Sequence, residues 1–381
     1  MTTPPGPRRL RDDLPRIEGV KGGASGTREL GARDRDILKD IILTYILSAE
    51  PVSSRTVARR GQHGLSAASI RNVMADLEEW GYLAQPHTSA GRVPTREGYH
   101  LFIDTMMETR RISPHDRKVI DDALVSTPSE TRQLLAACLY LLKDLSHQVS
   151  VVLTPAMADT VLKSVEFVRL SETQVLCVVV SANGFVDNKI LQLPSAVTRD
   201  ELTWISNYLT ENFAGLAVRE IRERLLKLMA EDRAQVDRLL ALSIDLAQRS
   251  LAPGEEQRVL YDGADEILAQ PELSDIGRVR QLFDTFSRRA RLVTLLNQVL
   301  TGDGVRVLIG ADSDLTSELD FSLVATTYGV GGERLGTIGV FGPSRMEYPR
   351  VIPLVHYLGE SLNRILAGTF KDHKQGDVER W

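Results

Sequence analysis

A chain of 381 residues, 43% hydrophobic and 25% charged, is long enough for two or three globular domains and ordinary in composition. No run approaches the length of about 18 apolar residues that a membrane span needs, and the charged, proline-rich start MTTPPGPRRLRDDLPRIEG lacks the apolar stretch of a signal peptide. The net charge of −5 argues by itself against a nucleic-acid binder, but the charge is sorted along the chain. Residues 1–110 hold 16 basic and 14 acidic groups, and the remainder holds 30 and 37. Two zones of the first part have no acid: 51–75, with Arg55, Arg59, Arg60 and Arg71, and 80–96, with Arg92 and Arg96. Such zones can form an electrostatic footprint for phosphate even within an acidic chain.

Residues 1–30, rich in Pro, Gly and charge and without periodicity, read as a disordered extension. Apolar positions at three- and four-residue spacing predict a helix from 33 to 47, ended by Pro51. Ser53 or Ser54 caps a short helix stopped by Gly61, and Ser66 caps the next. Leu65 and Ile70 have the spacing of a hydrophobic staple, and Ile70, Val73 or Met74, and Leu77 form one apolar stripe ended by Gly81. Residues 82–85 and 91–94 then read as a hairpin around HTSAGRVP. Three helices and a hairpin within about 70 residues predict a winged helix-turn-helix. Residues 99–107 continue as helix or linker.

Two helical segments follow between 115 and 147, then strand signals in VSVVLT, LKSVEFVRL, QVLCVVVS and VDNKILQL. From 197 to about 300 the chain is helix-rich and charged, with apolar positions such as Leu225, Met229, Val236, Leu239, Leu240 and Ile244 at helical spacing. Strands resume in VRVLIG, FSLVATTYG and RLGTIGVFG, with Gly331-Gly332 as a hairpin turn, before a last helix YPRVIPLVHYLGESLNRIL. A β-rich region interrupted by about a hundred helical residues fits one α/β domain carrying an insertion, or two domains in series. Strand pairing across the gap is not visible in sequence.

In a helix-turn-helix the second helix enters the major groove N-terminus first. Ser66, Ala67, Ala68 and Ser69 are small enough to let that backbone approach closely, and the free N–H groups of a helix start can hold a phosphate. Arg71 can bond guanine bidentately and Asn72 can read adenine. Asp76, Glu78 and Glu79 lie at the far end of the helix, away from the groove. In the wing, Thr88 and Ser89 suit phosphate oxygens, and Arg92 is expected at the tip. Candidate DNA-binding residues are therefore Ser53, Arg55, Ser66, Ala67, Ser69, Arg71, Asn72, Thr88, Ser89, Gly91 and Arg92.

Nothing points to catalysis. The seven histidines show no metal-ligand spacing, and neither a P-loop nor a G-x-S-x-G motif occurs. Asp312 and Asp314 read as solvated loop acids. Cys138 and Cys177, each inside an apolar run, read as buried free thiols, which fits a reducing cytosol. No cofactor is implied. A mixed sheet with flanking helices can also cup a small molecule, so a sensor carrying a DNA-binding module is the alternative.

The run SAASIRNVMADLEEWGYLAQPHTSAGRVPTREGYHLFID closely resembles the heat-inducible transcription repressors of the HrcA family. YDGADEILAQPEL and LGTIGVFGPSRMEYPRVIPLV are also similar to that family, and the likeness spans roughly residues 33–370. The resemblance implies an α+β multidomain fold: a winged helix (31–110), a GAF-like α/β domain in two parts (111–196 and 289–370), an inserted helix-rich dimerising domain (197–288) and a C-terminal tail (371–381). Leu225, Met229, Val236, Leu240 and Ile244 then become candidate dimerisation residues. The resemblance further implies a cytoplasmic homodimer that binds double-stranded DNA at the CIRCE inverted-repeat operator ahead of groE and dnaK type operons. It also implies support of that activity by the GroEL chaperonin. Where the family usually has an acid, this chain has Val73.

Overall fold

The computed structural model describes residues 17–19, 30–60, 63–88, 90–107, 111–127, 131–155, 160–182, 185–218, 220–221, 223–224, 238–251, 259–268, 270–271, 289–300, 302, 304–312 and 320–376. The protein is mixed α and β. Its N-terminal part begins with α1 (Ala32–Ser48), which buries Ile37, Leu38, Ile41, Ile42 and Ile46 on one stripe and ends at Ala49 in a left-handed conformation, φ 55°. Helix α2 (Ser54–Arg59) starts at Ser53, whose Oγ accepts from the Thr56 N–H at 3.2 Å. Helix α3 (Ala67–Glu79) starts at Ser66, whose Oγ accepts from the Ser69 N–H at 3.1 Å. It buries Ile70, Val73, Met74 and Leu77. Val73 thus belongs to the packing stripe, which explains an apolar residue at that position. Gly81, at φ 81°, ends the helix, and the Tyr82 N–H bonds back to the Leu77 carbonyl at 2.9 Å. Strands β2 (Leu83–Ala84) and β3 (Val93–Pro94) pair antiparallel, and α4 (Arg96–Leu101) follows, continued by a π turn over Phe102–Met106.

Helices α5 (Pro114–Ser126) and α6 (Thr131–Ser146) lead into a six-stranded sheet. Its order is β1 (Ile17–Gly19), β9 (Val305–Ile309), β10 (Phe321–Val330), β11 (Glu333–Pro343), β4 (Val149–Leu153) and β8 (Val259–Asp262). All pairs are antiparallel except β1 with β9. Three residues of the expected disordered extension, Ile17–Gly19, therefore form an edge strand, and the rest of 1–29 lies outside the described residues. Gly331 and Gly332, at φ 62° and 89°, join β10 to β11 in the two-residue turn that positive φ at both central positions allows. Both faces of the sheet are covered, so β4 is buried at every position. Val149, Val151 and Leu153 pack with Leu292, Leu295 and Leu296 of α9 (Arg289–Leu300). Val152 and Val340 face the opposite layer, formed by α6 and the final helix α10 (Tyr348–Gly376). That layer is continuous with the core of the N-terminal helices, from Ile37 to Leu366.

Between β4 and β8 the chain builds a second unit. Strands β5 (Leu162–Arg169), β6 (Gln174–Ser181) and β7 (Val186–Gln192) form a three-stranded antiparallel sheet of their own. Helices α7 (Arg199–Phe213) and α8 (Arg238–Ser250) cover one face around a separate core that includes Phe167, Cys177, Ile205 and Leu246. The sequence reading put β5–β7 with the flanking α/β sheet and began the insertion at 197. Among the described residues these strands instead pair only with one another, and the changeover falls between β4 and β5. Alternating burial along β6 looks the same in sequence whichever sheet it joins, and only the pairing distinguishes the two. Leu153 and Val259 are register partners, so the chain leaves the large sheet and re-enters it at neighbouring positions.

Both thiols are buried, and burial pushes each up to about 12. Cys138 and Cys177 are therefore expected to resist a thiol-reactive dye at neutral pH until the protein is unfolded. Prompt labelling of the native protein would contradict their placement.

Candidate nucleic-acid interface

The buried stripe of α3 fixes which residues face outward. With Ile70, Val73, Met74 and Leu77 inside, Ser66, Ala68, Arg71, Asn72, Ala75 and Asp76 are exposed. The first turn contains no acid, and the Ser66 cap satisfies one of its N–H groups. Ser66 Oγ also lies 3.0 Å from Ser69 Oγ, so the two hydroxyls form a pair at the helix start. Arg71 and Asn72 stand on the same exposed surface. Ser53 and Arg55, at the start of α2, are likewise exposed, and Ser53 Oγ lies 2.9 Å from Thr56 Oγ1. Arg60 is committed elsewhere: its Nη1 donates to Thr44 Oγ1 at 2.7 Å and ties the end of α2 to α1.

The hairpin loop differs from expectation in one respect. Its tip is the turn around His87, where the Ala90 N–H bonds to the His87 carbonyl at 2.8 Å. Gln85 steadies this tip from below, its Nε2 donating to the carbonyls of Thr88 at 3.0 Å and Ala90 at 3.1 Å. Thr88 is exposed there, and Ser89 lies outside the described residues. Arg92 is not at the tip but at the base beside β3. Its backbone exchanges two hydrogen bonds with Val52, at 2.8 and 2.9 Å, so the segment before α2 joins the hairpin as a third short partner. Its Nε lies 2.8 Å from Glu78 Oε2. The acidic end of α3 thus holds the arginine at the base of the hairpin, which gives Glu78 a constructive role. Glu78 and Gln85 are contributors that sequence reading missed, since no spacing rule links a helix end to a hairpin base.

Gly91 has a structural reason to be glycine. A Cβ built there would stand 2.4 Å from the Val52 carbonyl oxygen and 2.7 Å from that of Pro51. Gly91→Ala is expected to push the hairpin away from Val52 and to cost about 1–3 kcal/mol of stability, as other overpacking substitutions do. Thermal denaturation checks this, and an unchanged midpoint would show that the loop accommodates the methyl group freely.

The arrangement can therefore offer small residues and helix-start N–H groups to a phosphate, a bidentate arginine and an amide to base edges, and a braced loop to a neighbouring groove. Among the described residues no cluster of His, Cys, Asp and Glu could hold a metal ion. No described helix is long and apolar enough to cross a membrane. The expected dimerisation residues lie far along the chain from this surface. Leu225, Met229 and Val236 lie outside the described residues, as does the side chain of Leu240. Ile244 is 6% exposed and packs within the chain's own second core, which leaves it little surface for a partner.

Residues 132–352 match the family model described as HrcA protein C terminal domain. The chain is 39% identical to the heat-inducible transcription repressor HrcA of Geobacter sulfurreducens, over 89% of this chain and 99% of that one. It is 35% identical to the protein of the same name from Xylella fastidiosa strain M23, over 90% of this chain and 98% of that one. A crystal structure described as a hypothetical protein shares the fold, with a TM-score of 0.61 at 23% identity, covering 90% of this chain and all of the other.

Proposed function

Since this chain belongs to the HrcA family of heat-inducible transcription repressors, we propose that it represses chaperone genes as a cytoplasmic homodimer bound to the CIRCE inverted repeat. In this reading α1–α3 and the β2–β3 hairpin form a winged helix-turn-helix, with α3 in the major groove and the wing along the backbone. The large sheet and its helices form a GAF-like domain, and the unit between β4 and β8 is the insertion that carries the dimer contact. Two copies of one reading helix related by a two-fold axis match an inverted repeat. The targets are groE and dnaK type operons, and the GroEL chaperonin keeps the repressor folded and active. When unfolded protein occupies the chaperonin on heating, a marginally stable repressor loses activity and its operons are released. No catalytic step is involved.

The observation that carries this reading is the surface of α3. Its exposed first two turns bear Ser66, Ala68, Arg71 and Asn72 without an acid, while every apolar residue of the stripe is turned inward. Dimerisation through the insertion draws support from the open face of its three-stranded sheet. Val168, Val186 and Ile190 are 43%, 41% and 65% exposed there, with Leu176 in register between Val168 and Ile190 and Val180 opposite Val186. Exposed apolar side chains grouped on one sheet face favour association, although Glu166 and Asn188 share that face. The test is a gel-shift titration of the full chain, with chaperonin present, against the inverted repeat from the organism's own chaperone promoters. Failure to retard that repeat in preference to a scrambled one would sink the proposal.

A further inference from the structure

Asp312 does not behave as the solvated loop acid its sequence context suggests. Its side chain is 2% exposed, at the end of β9. Its Oδ2 accepts from the Ile309 N–H at 2.8 Å, which fixes the carboxylate to the sheet. The same oxygen lies 2.8 Å from His100 Nε2, and Oδ1 accepts from Arg96 Nη1 at 3.3 Å. Arg96 and His100 are one helical turn apart on α4, so both reach the same carboxylate. A carboxylate this buried needs such partners, and the partners come from 212 and 216 residues away in sequence.

The start of α4 is also tied to the DNA-reading surface. Helix α4 begins immediately after β3, at Thr95, whose Oγ1 accepts from the Gly98 N–H and donates to the Gly81 carbonyl at 2.6 Å. Gly81 is the residue that ends α3. Gly98 lies so close to the Tyr82 carbonyl that a Cβ would stand 2.3 Å from its oxygen. A chain of short polar contacts therefore runs from the end of α3 through Gly81 and Thr95 to α4, and from α4 through Arg96 and His100 to Asp312 and β9. Two further contacts brace the same junction. Arg345 Nη1 donates to the Ile46 carbonyl at the end of α1, at 3.2 Å, and the rings of Tyr99 and Tyr348 meet edge-on at 5.8 Å.

We propose that Asp312 is a positioning residue for operator recognition: through Arg96 and His100 it fixes the angle of the reading helix relative to the sheet, and so sets the half-site spacing the dimer accepts. The proposal rests on the dimeric, inverted-repeat reading above. Each added base pair moves the second half-site by about 3.4 Å and turns it by about 35°, and a reading unit locked to the body of its protomer cannot follow. A unit whose junction has loosened can follow, at the expense of selectivity.

The test uses the full chain and synthetic duplexes of two kinds, a single half-site and inverted repeats whose spacer is varied in steps of one base pair. The wild type is expected to show one spacer optimum, with affinity falling about tenfold or more at each neighbouring length. Asp312→Asn is expected to keep half-site affinity within about twofold while its spacer preference flattens to about threefold or less. His100→Leu, which leaves Arg96 on the buried carboxylate, decides the matter if Asp312→Asn does not fold. A folded variant with the wild-type spacer profile overturns the inference, whereas a wild type that binds no inverted repeat overturns the functional reading on which it rests.

Discussion

Arg71→Ala is expected to weaken operator binding by about 1–3 kcal/mol at each half-site, or about 2–6 kcal/mol for a dimer that uses the residue twice, with little change on unrelated DNA. The reason is local. Arg71 is exposed on the second turn of α3, and the residues one turn away on either side are Ala67, Ala68, Met74 and Ala75. No acid stands at helical pairing distance to compete for the guanidinium. Its neighbour Asn72 is exposed on the same surface, so a guanine and an adenine edge could be read side by side. Parallel titrations against the operator and a scrambled duplex, each at several salt concentrations, give the answer. A purely electrostatic contact would lower both affinities together and reduce the salt slope by about one counterion. That result would demote Arg71 from base reader to phosphate contact.

Arg92 is a contrasting case, and the two show what a sequence reveals about a surface. The α3 stripe was legible because burial in a helix follows its period, and the period fixes the outward face that carries Arg71 and Asn72. The caps Ser66 and Gly81 were legible, and Ser53 as one of two candidates with Ser54, because each satisfies backbone groups of its own helix end. Arg92 depends on residues that no local rule connects to it. Its partner Glu78 sits at the end of α3, and its backbone partner Val52 precedes α2. The glycine beside it reads in sequence as turn chemistry, yet its structural reason is the carbonyl of Val52. Asp312 illustrates the same limit at longer range. A hydrophilic residue after a strand reads as solvated, and only the arrival of α4 makes it buried and paired.

The strands show a further limit. All of the long ones were marked by β-branched runs, from VSVVL to the glycine-rich β11. Which sheet each joined was not marked. Val175, Cys177 and Val179 of β6 alternate as neatly as the strand of a large sheet would, and they pack instead on α7 and α8. Partner choice is a property of the fold, whereas alternation is a property of the single strand.

That distinction reshapes how the insertion is to be tested. A deletion of residues 200–285, inside the expected inserted domain of 197–288, would remove β8 and leave β4 at an unpaired sheet edge while keeping β5–β7 without their helices. An exposed edge of this kind invites aggregation. Replacing residues 156–256 by a short turn avoids both faults, because Leu153 and Val259 already face each other as register partners. The shortened protein is expected to keep its six-stranded sheet and half-site affinity and to become a monomer, losing about 10²–10⁴-fold in affinity for the inverted repeat with the loss of linked binding. Sedimentation reads the oligomeric state and titration reads the affinity. Ile190→Asp in the intact chain tests the same contact without excision, since that side chain is 65% exposed and its replacement leaves the second core untouched. If Ile190→Asp and the shortened protein both remain dimers, the interface belongs to the sheet domain and not to the insertion.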